Sequence, residues 1–445
     1  MTNKKIIIIS YFFAPANMMG AIRMTKISKY LFKKGYDISV ITSDNSTLLF
    51  QKEKCDVDPF LQNDIEGMDV RRVKHGFLYS FVSKILRKFS TGRPSYVQTK
   101  TTKKRTFKRK LLHYILFYMS LWQDKDFARR GKKVFKSLSS QEGNIIISSY
   151  GPVASHLLAA KVKGKKDVLI CDFRDPIAQN TNYKHEFKVN KRLEKTFINR
   201  SDYVVAVSKG YLASLGLEED NNHLVITNGF DLSDYNEVVS KENRREKIVI
   251  SYVGTLYSGK RDLTPLFKAL NELRSLEGLD ISRFELHYAG PQGDYFNDVC
   301  SKSGLSDISK NFGQITRDES VKLQAESDCI LVLTWNDYDG QGVLPGKFFE
   351  AMMFDKPLLV LVSGTSKNSE IKKLLPENAG FCFEEANEND LNHLKDFLRS
   401  LYFNEGHFSM DGFHKYNYKN IATKYEMIIE NAWRGRLDDK SISNK

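Results

Sequence analysis

Two loops and one strand end carry the residues of this sequence that have chemistry to offer. From Cys329 to Val362 the chain reads CILVLTWNDYDGQGVLPGKFFEAMMFDKPLLVLV. This is an apolar run, a glycine-bearing loop, a helix-forming stretch that opens with Lys347 and carries Glu350, and a second apolar run. Gly340, Gly342 and Gly346 let a ligand approach the backbone closely, and N–H groups left unpaired where a helix begins make a phosphate cradle. A second loop, Gly254 to Arg261, follows the run Ile248 to Val253 and bears Lys260 and Arg261. The third place is DVLICDFRDP, where Asp172, Arg174 and Asp175 gather as an apolar run ends. Polar groups with a task collect at the carboxyl ends of parallel strands, although an ion pair closing a turn at Pro176 would look the same.

These residues need a frame, and the apolar pattern supplies one. The runs 329–335 and 357–362 are short and β-rich with about ten helix formers between them, which predicts a βαβ unit in a parallel sheet. The chain opens the same way. A strand over Lys4–Phe13 leads through APANMMG into a helix from Ala21 to Lys34, on which Met24, Ile27 and Leu31 share one face, and then into a strand, YDISVITS. The loop lacks GxGxxG, so a dinucleotide is not indicated; Asn17 to Arg23 are ligand candidates, and an ordinary βα turn explains them equally well. The basic start and apolar run of MTNKKIIIISYFFAPA could belong to a signal peptide, but β-branching and the following helix favour a first buried strand.

Further strands are expected at 144–149, 167–176, 201–210 and from 224, with a polar helix over Lys184–Arg200. VVSKENRREK, Val238 to Lys247, reads as a linker, and after it the strand, loop and helix rhythm begins again at Ile248. FELHYAG, ISKNFGQI and GFCFEE supply more strands. The fold class is therefore α/β, with two Rossmann-like domains facing each other across a cleft: 1–237, then 246–412. Residues 413–437 hold an amphipathic helix, Tyr416–Trp433, whose Ile421, Tyr425, Ile428 and Ile429 need a partner surface; LDDKSISNK beyond it reads as a frayed tail.

Composition narrows the class. The 445 residues, 41% of them hydrophobic, suit an enzyme-sized globular protein. Cys55, Cys171, Cys300, Cys329 and Cys382 are scattered without metal-ligand spacing, so neither a zinc site nor a disulfide framework is expected, and a reducing cytoplasm fits. The net charge of +14 has one owner: Arg71 to Lys136 holds twenty Lys or Arg against Asp124 and Asp126, a local balance of +18 that leaves about −4 for the rest. Within it LLHYILFYMSLW is only twelve residues long, too short to span a bilayer. A basic, aromatic-bearing helix suits an anionic membrane surface; a core helix with a solvated basic face is the equal alternative, and nucleic acid is disfavoured.

The motifs in this order resemble those of the GT-B glycosyltransferases, most closely the retaining family 4 enzymes of bacterial surface polysaccharide synthesis. SYFFAPANMMGAIR is similar to that family's first loop, and SSYGPVASHLLA and CDFRDP to its mid-domain pair. VSKG and ITNGFD resemble its inter-domain elements, YVGTLYSGKRDLTPLF its donor-phosphate loop, GVLPGKFFEAMMFDKPLL its nucleotide-sugar motif, and the tail its helix that crosses back to the first domain.

The resemblance implies a transferase that moves a sugar from a nucleoside diphosphate donor, with UDP first and GDP second, to a saccharide or polyprenyl-linked saccharide acceptor. It implies retention, no metal and no cofactor, and work at the inner face of the cell membrane as a peripheral protein. Glu350 stands where the family binds the ribose hydroxyls, and Gly342 where relatives carry a sugar-contacting Glu; the backbone of Gly342, Val343, Leu344 and Pro345 would then approach the donor. Lys347, with the helix start, and Lys260 and Arg261, near Gly254, match the phosphate side. Gly20, Arg23, Tyr150 and Gly151 would face the acceptor beside Asp172, Arg174 and Asp175. Because Arg174 stays protonated, Asp175, Asp172 or the departing phosphate oxygen would take the acceptor proton. A nucleotide-sugar epimerase of the same architecture and a non-catalytic nucleotide-sugar-binding protein are the competing readings.

Overall fold

The computed structural model describes residues 5–16, 18–44, 57–76, 107–178, 183–236, 246–337, 342–409 and 411–443. Asn17, Gly340, Cys55, most of the expected linker and residues 77–106 of the basic segment lie outside them. The chain forms two compact units, one from the described parts of 1–228 and 418–443, the other from 229–417.

The first unit is built on seven parallel strands: β1 (Lys5–Ser10), β2 (Asp37–Ser43), β3 (Asp69–Val73), β4 (Ile145–Ser149), β5 (Val168–Phe173), β6 (Tyr203–Ala206) and β7 (His223–Val225). Their order is β3-β2-β1-β4-β5-β6-β7. Ile6 to Ile9 of β1 are fully buried, which is why a continuous β-branched run, without alternation, forms the central strand of a sheet covered on both faces. The longer helices are α1 (Met19–Lys33), α2 (Phe107–Leu138), α3 (Ala154–Val162) and α4 (Lys184–Arg200). Helix α2 runs for 32 residues, so the twelve-residue apolar run is one part of a longer element whose inner side buries Leu121, Phe127, Ala128 and Phe135. The expected strand 201–210 stops at Ala206, because the Ser208 hydroxyl accepts the Tyr211 N–H and caps a short helix, Lys209–Ser214.

The second unit repeats the plan with β8 (Ile248–Val253), β9 (Phe284–Ala289), β10 (Ser309–Asn311), β11 (Cys329–Trp335), β12 (Leu358–Ser363) and β13 (Gly380–Glu384). All pairs are parallel, in the order β10-β9-β8-β11-β12-β13. In each sheet, then, the chain reverses direction between its first and fourth strands, and the carboxyl ends of those two strands border the crevice where open α/β sheets take ligands. The helices α5 (Thr264–Glu277), α6 (Gly293–Lys302), α7 (Arg317–Ala325), α8 (Gly346–Ala351) and α9 (Asp390–Phe403) complete the layers. Helix α8 is six residues long and tightens into a 3-10 turn at Met352–Phe354 before Asp355 ends it in the left-handed region.

The last helix, α10 (Tyr418–Ser443), belongs to the first unit and continues past Trp433 into the expected frayed tail. Its Ile421, Tyr425, Ile428 and Ile429 share a core cluster with Met24, Ile27 and Leu31 of α1. Each such side chain contributes roughly 1.5–3 kcal/mol on burial, which is what fixes the chain end on the first unit. Among the described residues no helix is long and apolar enough to cross a membrane.

Candidate functional site

At the reversal point of the second sheet, β8 ends at Val253 and the loop after it carries the expected cations. Gly290, just beyond β9, makes this loop possible: a Cβ there would meet the Gly254 carbonyl oxygen at 2.2 Å. The loop tightens into a 3-10 turn, Tyr257–Gly259, with Tyr257 itself at φ 52. Arg261 donates from Nη1 to the Tyr252 hydroxyl at 3.0 Å and to the Thr255 carbonyl at 3.1 Å, so its guanidinium is fixed by its own loop. Its Cζ lies 4.8 Å from the Tyr257 ring centroid and 5.6 Å from that of Trp335, while Lys260 Nζ lies 4.3 Å over the Trp335 ring. The Asp262 N–H reaches the Ser363 hydroxyl at 3.3 Å, tying the loop to the end of β12. Trp335, the last residue of β11, is therefore the platform for both cations, a role that a reading of CILVLTW as a strand does not reveal.

The second group follows β11. Gly342 is buried with φ +87, a region that favours glycine, so any side chain at this position would strain the backbone. Val343 and Pro345 are half-buried, and the Leu344 side chain packs in the core, so what Leu344 can present to a ligand is backbone. One turn into α8, Glu350 is buried 2.6 Å from Lys347 Nζ and 3.7 Å from Arg317 Nη1. Burial pushes its carboxyl up, but Lys347 and Arg317 more than offset this and hold it below the usual carboxylate range. Lys347 occupies Oε2, while Oε1, 3.7 Å from Arg317, accepts no hydrogen bond within the chain and can take a hydroxyl donor. Arg317 in turn pairs with buried Asp234 at 2.9 Å. Its signal was present in the sequence: Thr316 and Glu319 form a capping box, and an arginine in the first turn beside it runs against the helix dipole unless carboxylates hold it. Taken together these groups are cations around a buried carboxylate, a set suited to a phosphate ester with hydroxyls.

In the first unit the structure separates the expected residues into two groups. Gly20, Tyr150, Gly151, Arg174 and Asp175 come together beyond the ends of β1, β4 and β5. Arg174 donates to the Gly20 carbonyl at 2.7 Å and lies 3.5 Å from the Asp175 carboxylate. Gly151, at φ +112, leaves the space that Arg174 fills, since a Cβ there would meet Nη2 at 2.2 Å. The Tyr211 hydroxyl donates to the Asp175 carbonyl and anchors this turn, while the Asp175 carboxylate remains 57% exposed.

Arg23 and Asp172, expected among the groups that meet substrate, are instead paired in the interior, 1% and 0% exposed. Arg23 donates to both Asp172 oxygens, at 2.9–3.2 Å, and to the carbonyls of Ile226 and Thr227. The Tyr425 and Ser149 hydroxyls each reach Asp172 at 3.0 Å. A carboxylate so enclosed positions β5 against α1 and α10. Close by, the fully buried His156 bonds to the Ser148 hydroxyl at 2.7 Å, and burial, slightly opposed by Asp172, pushes its imidazole down to about 3, so it is neutral.

No protein-family model matches the chain, and no curated protein sequence matches it. Solved structures do match over nearly its whole length. A lipopolysaccharide outer core galactosyltransferase, WaaB, superposes with a TM-score of 0.57 at 13% identity, covering 96% of this chain and 99% of its own. TarM gives 0.60 at 11% identity, with 96% and 99% coverage. A UDP-N-acetylglucosamine 2-epimerase gives 0.50 at 13% identity, with 95% and 91% coverage. The fold is that of the GT-B glycosyltransferases and of epimerases that share it.

Proposed function

We propose that this protein is a glycosyltransferase that moves a sugar from a UDP-sugar to a saccharide acceptor, lipid-linked and presented at the inner face of a membrane, with retention at the anomeric carbon. The observation that carries the reading is the buried, ionised Glu350 held between Lys347 and Arg317, with Oε2 against Lys347 and Oε1 accepting no hydrogen bond within the chain, a receptor for the ribose hydroxyls of a nucleotide. Lys260 and Arg261 act on the diphosphate, whose charge grows as the sugar leaves; side-chain cations there take the part a divalent ion plays elsewhere. On the first unit the exposed Asp175, set by Arg174, meets the acceptor hydroxyl, and the proton passes to it or to the departing phosphate oxygen. Asp172 has no part in proton transfer. Gly342 leaves the sugar to backbone contacts, which sets how this chain differs from relatives with a Glu at that place.

The test is calorimetry on the full chain with UDP and with uridine. Lys260→Ala should weaken UDP by about tenfold or more and uridine little, since one phosphate contact by a charged group is worth about 1.5–3 kcal/mol. Equal loss of both ligands would sink the assignment. The epimerase among the matching structures supports a second reading, and incubation with a UDP-sugar alone separates the two: interconversion of the donor without acceptor favours the epimerase.

A further inference from the structure

The long helix α2 has one exposed face, and its residues divide by chemistry along the axis. Its first half exposes Leu111, Tyr114, Ile115, Tyr118 and Trp122, each between 38% and 49% accessible, at the i, i+3, i+4, i+7 spacing of a single stripe. Its second half exposes Lys125, Arg129, Lys132, Lys133 and Lys136. At about 100° per residue all ten fall within an arc of about 100°, so the apolar stripe and the basic stripe are one continuous band.

The opposite face is committed to the core, where Leu121, Phe127, Ala128 and Phe135 are buried. Both acidic residues of the helix are also turned inward: Asp124 is buried, and Asp126, likewise buried, pairs with Arg129 and Arg130 at 2.6 and 2.9 Å. The band therefore carries no anion.

Two neighbours extend it in kind. Beside the apolar half, helix α4 is joined to α2 by the His113–Glu186 pair at 2.7 Å and by the His185 ring 4.9 Å from Tyr114, and it exposes Phe187. Beside the basic half, Lys132 and Lys136 line a cleft of about 440 Å³ together with Lys161, Lys165 and Lys166 and one acidic residue, Asp167, whose carboxylate is taken by the N–H groups of Asn144 and Gly164.

We propose that this band is a docking surface for an anionic phospholipid bilayer, with the helix lying in the interfacial plane. The aromatic and aliphatic half enters the boundary between headgroups and acyl chains. The lysine half, with the lysine cleft at its end, rests on phosphate headgroups. The charge argues for this occupant: five cations, Arg129 among them paired with Asp126, in line with a five-residue apolar stripe complement a surface that is apolar below and anionic above, whereas a second copy of this band would bring like charges together. The 32-residue helix does not cross the bilayer, being neither apolar enough nor free of charge. The inference rests on the placement at a membrane proposed above, but not on the transfer reaction.

The experiment reads lipid binding, so either proposal can fail alone. The full chain is sedimented with vesicles of phosphatidylcholine, with and without phosphatidylglycerol. Expected is co-sedimentation with the anionic vesicles only. Leu111→Ser/Ile115→Ser/Trp122→Ser and, separately, Lys125→Glu/Lys132→Glu/Lys133→Glu each lower the bound fraction by about tenfold or more at unchanged Tm, because every altered side chain is exposed in the folded chain. High salt weakens the residual binding of the first variant, which keeps its lysines, more than that of the second. Wild-type chain remaining in the supernatant with anionic vesicles overturns the proposal. So does either variant sedimenting as the wild type does, and so does a wild-type dimer, seen by light scattering, that the serine variant abolishes while vesicles bind neither form.

Discussion

Tyr425→Phe removes one hydroxyl from the interior of the first unit and nothing else. That hydroxyl donates to Asp172 Oδ1 at 3.0 Å and accepts from Arg23 Nη2 at 3.1 Å, while the ring keeps its fully buried place on α10. A hydrogen bond to a charged group is worth about 1.5–3 kcal/mol, so the attachment of α10 should weaken by that amount. Hydrogen exchange of peptides from 418–433 reads it directly, as protection reduced by about 10- to 150-fold. Arg23→Met should cost more, about 3–5 kcal/mol, because it leaves the Asp172 carboxylate buried without its counter-charge. Arg23→Met/Asp172→Asn should recover part of that loss, since the amide can still meet Ser149 and Tyr425 without a net charge. If the double variant is as unstable as Arg23→Met alone, or if Tyr425→Phe leaves protection unchanged, the buried lock is not what holds the helix. A functional readout closes the argument. Asp172→Asn that keeps kcat while lowering Tm has a positioning residue at 172; loss of kcat at unchanged Tm would return Asp172 to the chemistry.

The remaining expectations are brief. Because burial holds His156 near 3 while the unfolded chain titrates near 6.5, its contribution is fully present above the unfolded value and is lost as pH falls toward the folded one. Between pH 7 and pH 5 the first unit should lose about 2 kcal/mol, and His156→Gln should flatten that slope in denaturant titrations at the two pH values; an equal slope in both proteins refutes it. Glu285, pushed up by burial but held down to about 2 by Lys310, His287 and Lys247, works the same way at lower pH. Its stabilisation is present above the ordinary carboxylate range and disappears as pH falls from about 4.5 through 2, and acid unfolding of Glu285→Gln should lack that component. Arg317→Met should destabilise the second unit by about 3–5 kcal/mol by stranding buried Asp234, and should also weaken UDP; a variant that binds UDP as tightly as the wild type removes Arg317 from the site.

The sheets were legible because their central strands are written without alternation. Ile6 to Ile9 and Leu358 to Val362 can be little else than strands covered on both faces, and the return of strand, loop and helix after Lys247 implied the second sheet. Strand β3, DVRRV, was missed because it lies at a sheet edge, where two arginines are tolerated and the apolar signal is two valines. Helix α2 was read at twelve residues because its second half buries a narrow stripe, Phe127, Ala128 and Phe135, among lysines. The glycine loops of the candidate site were visible, since their constraint is local. Trp335 was not, because a strand's last residue looks like the strand. The Arg23, Asp172 and Tyr425 cluster shows the harder limit. Charge at a strand end reads the same whether it awaits a ligand or an internal partner, and here the partners stand 149 and 253 residues from Asp172. The distinction between Asp172 and Asp175, three residues apart, is one of burial alone: a carboxylate facing back into the sheet must find its counter-charge within the fold, while one carried past the turn by an intervening arginine keeps its oxygens for whatever arrives from outside.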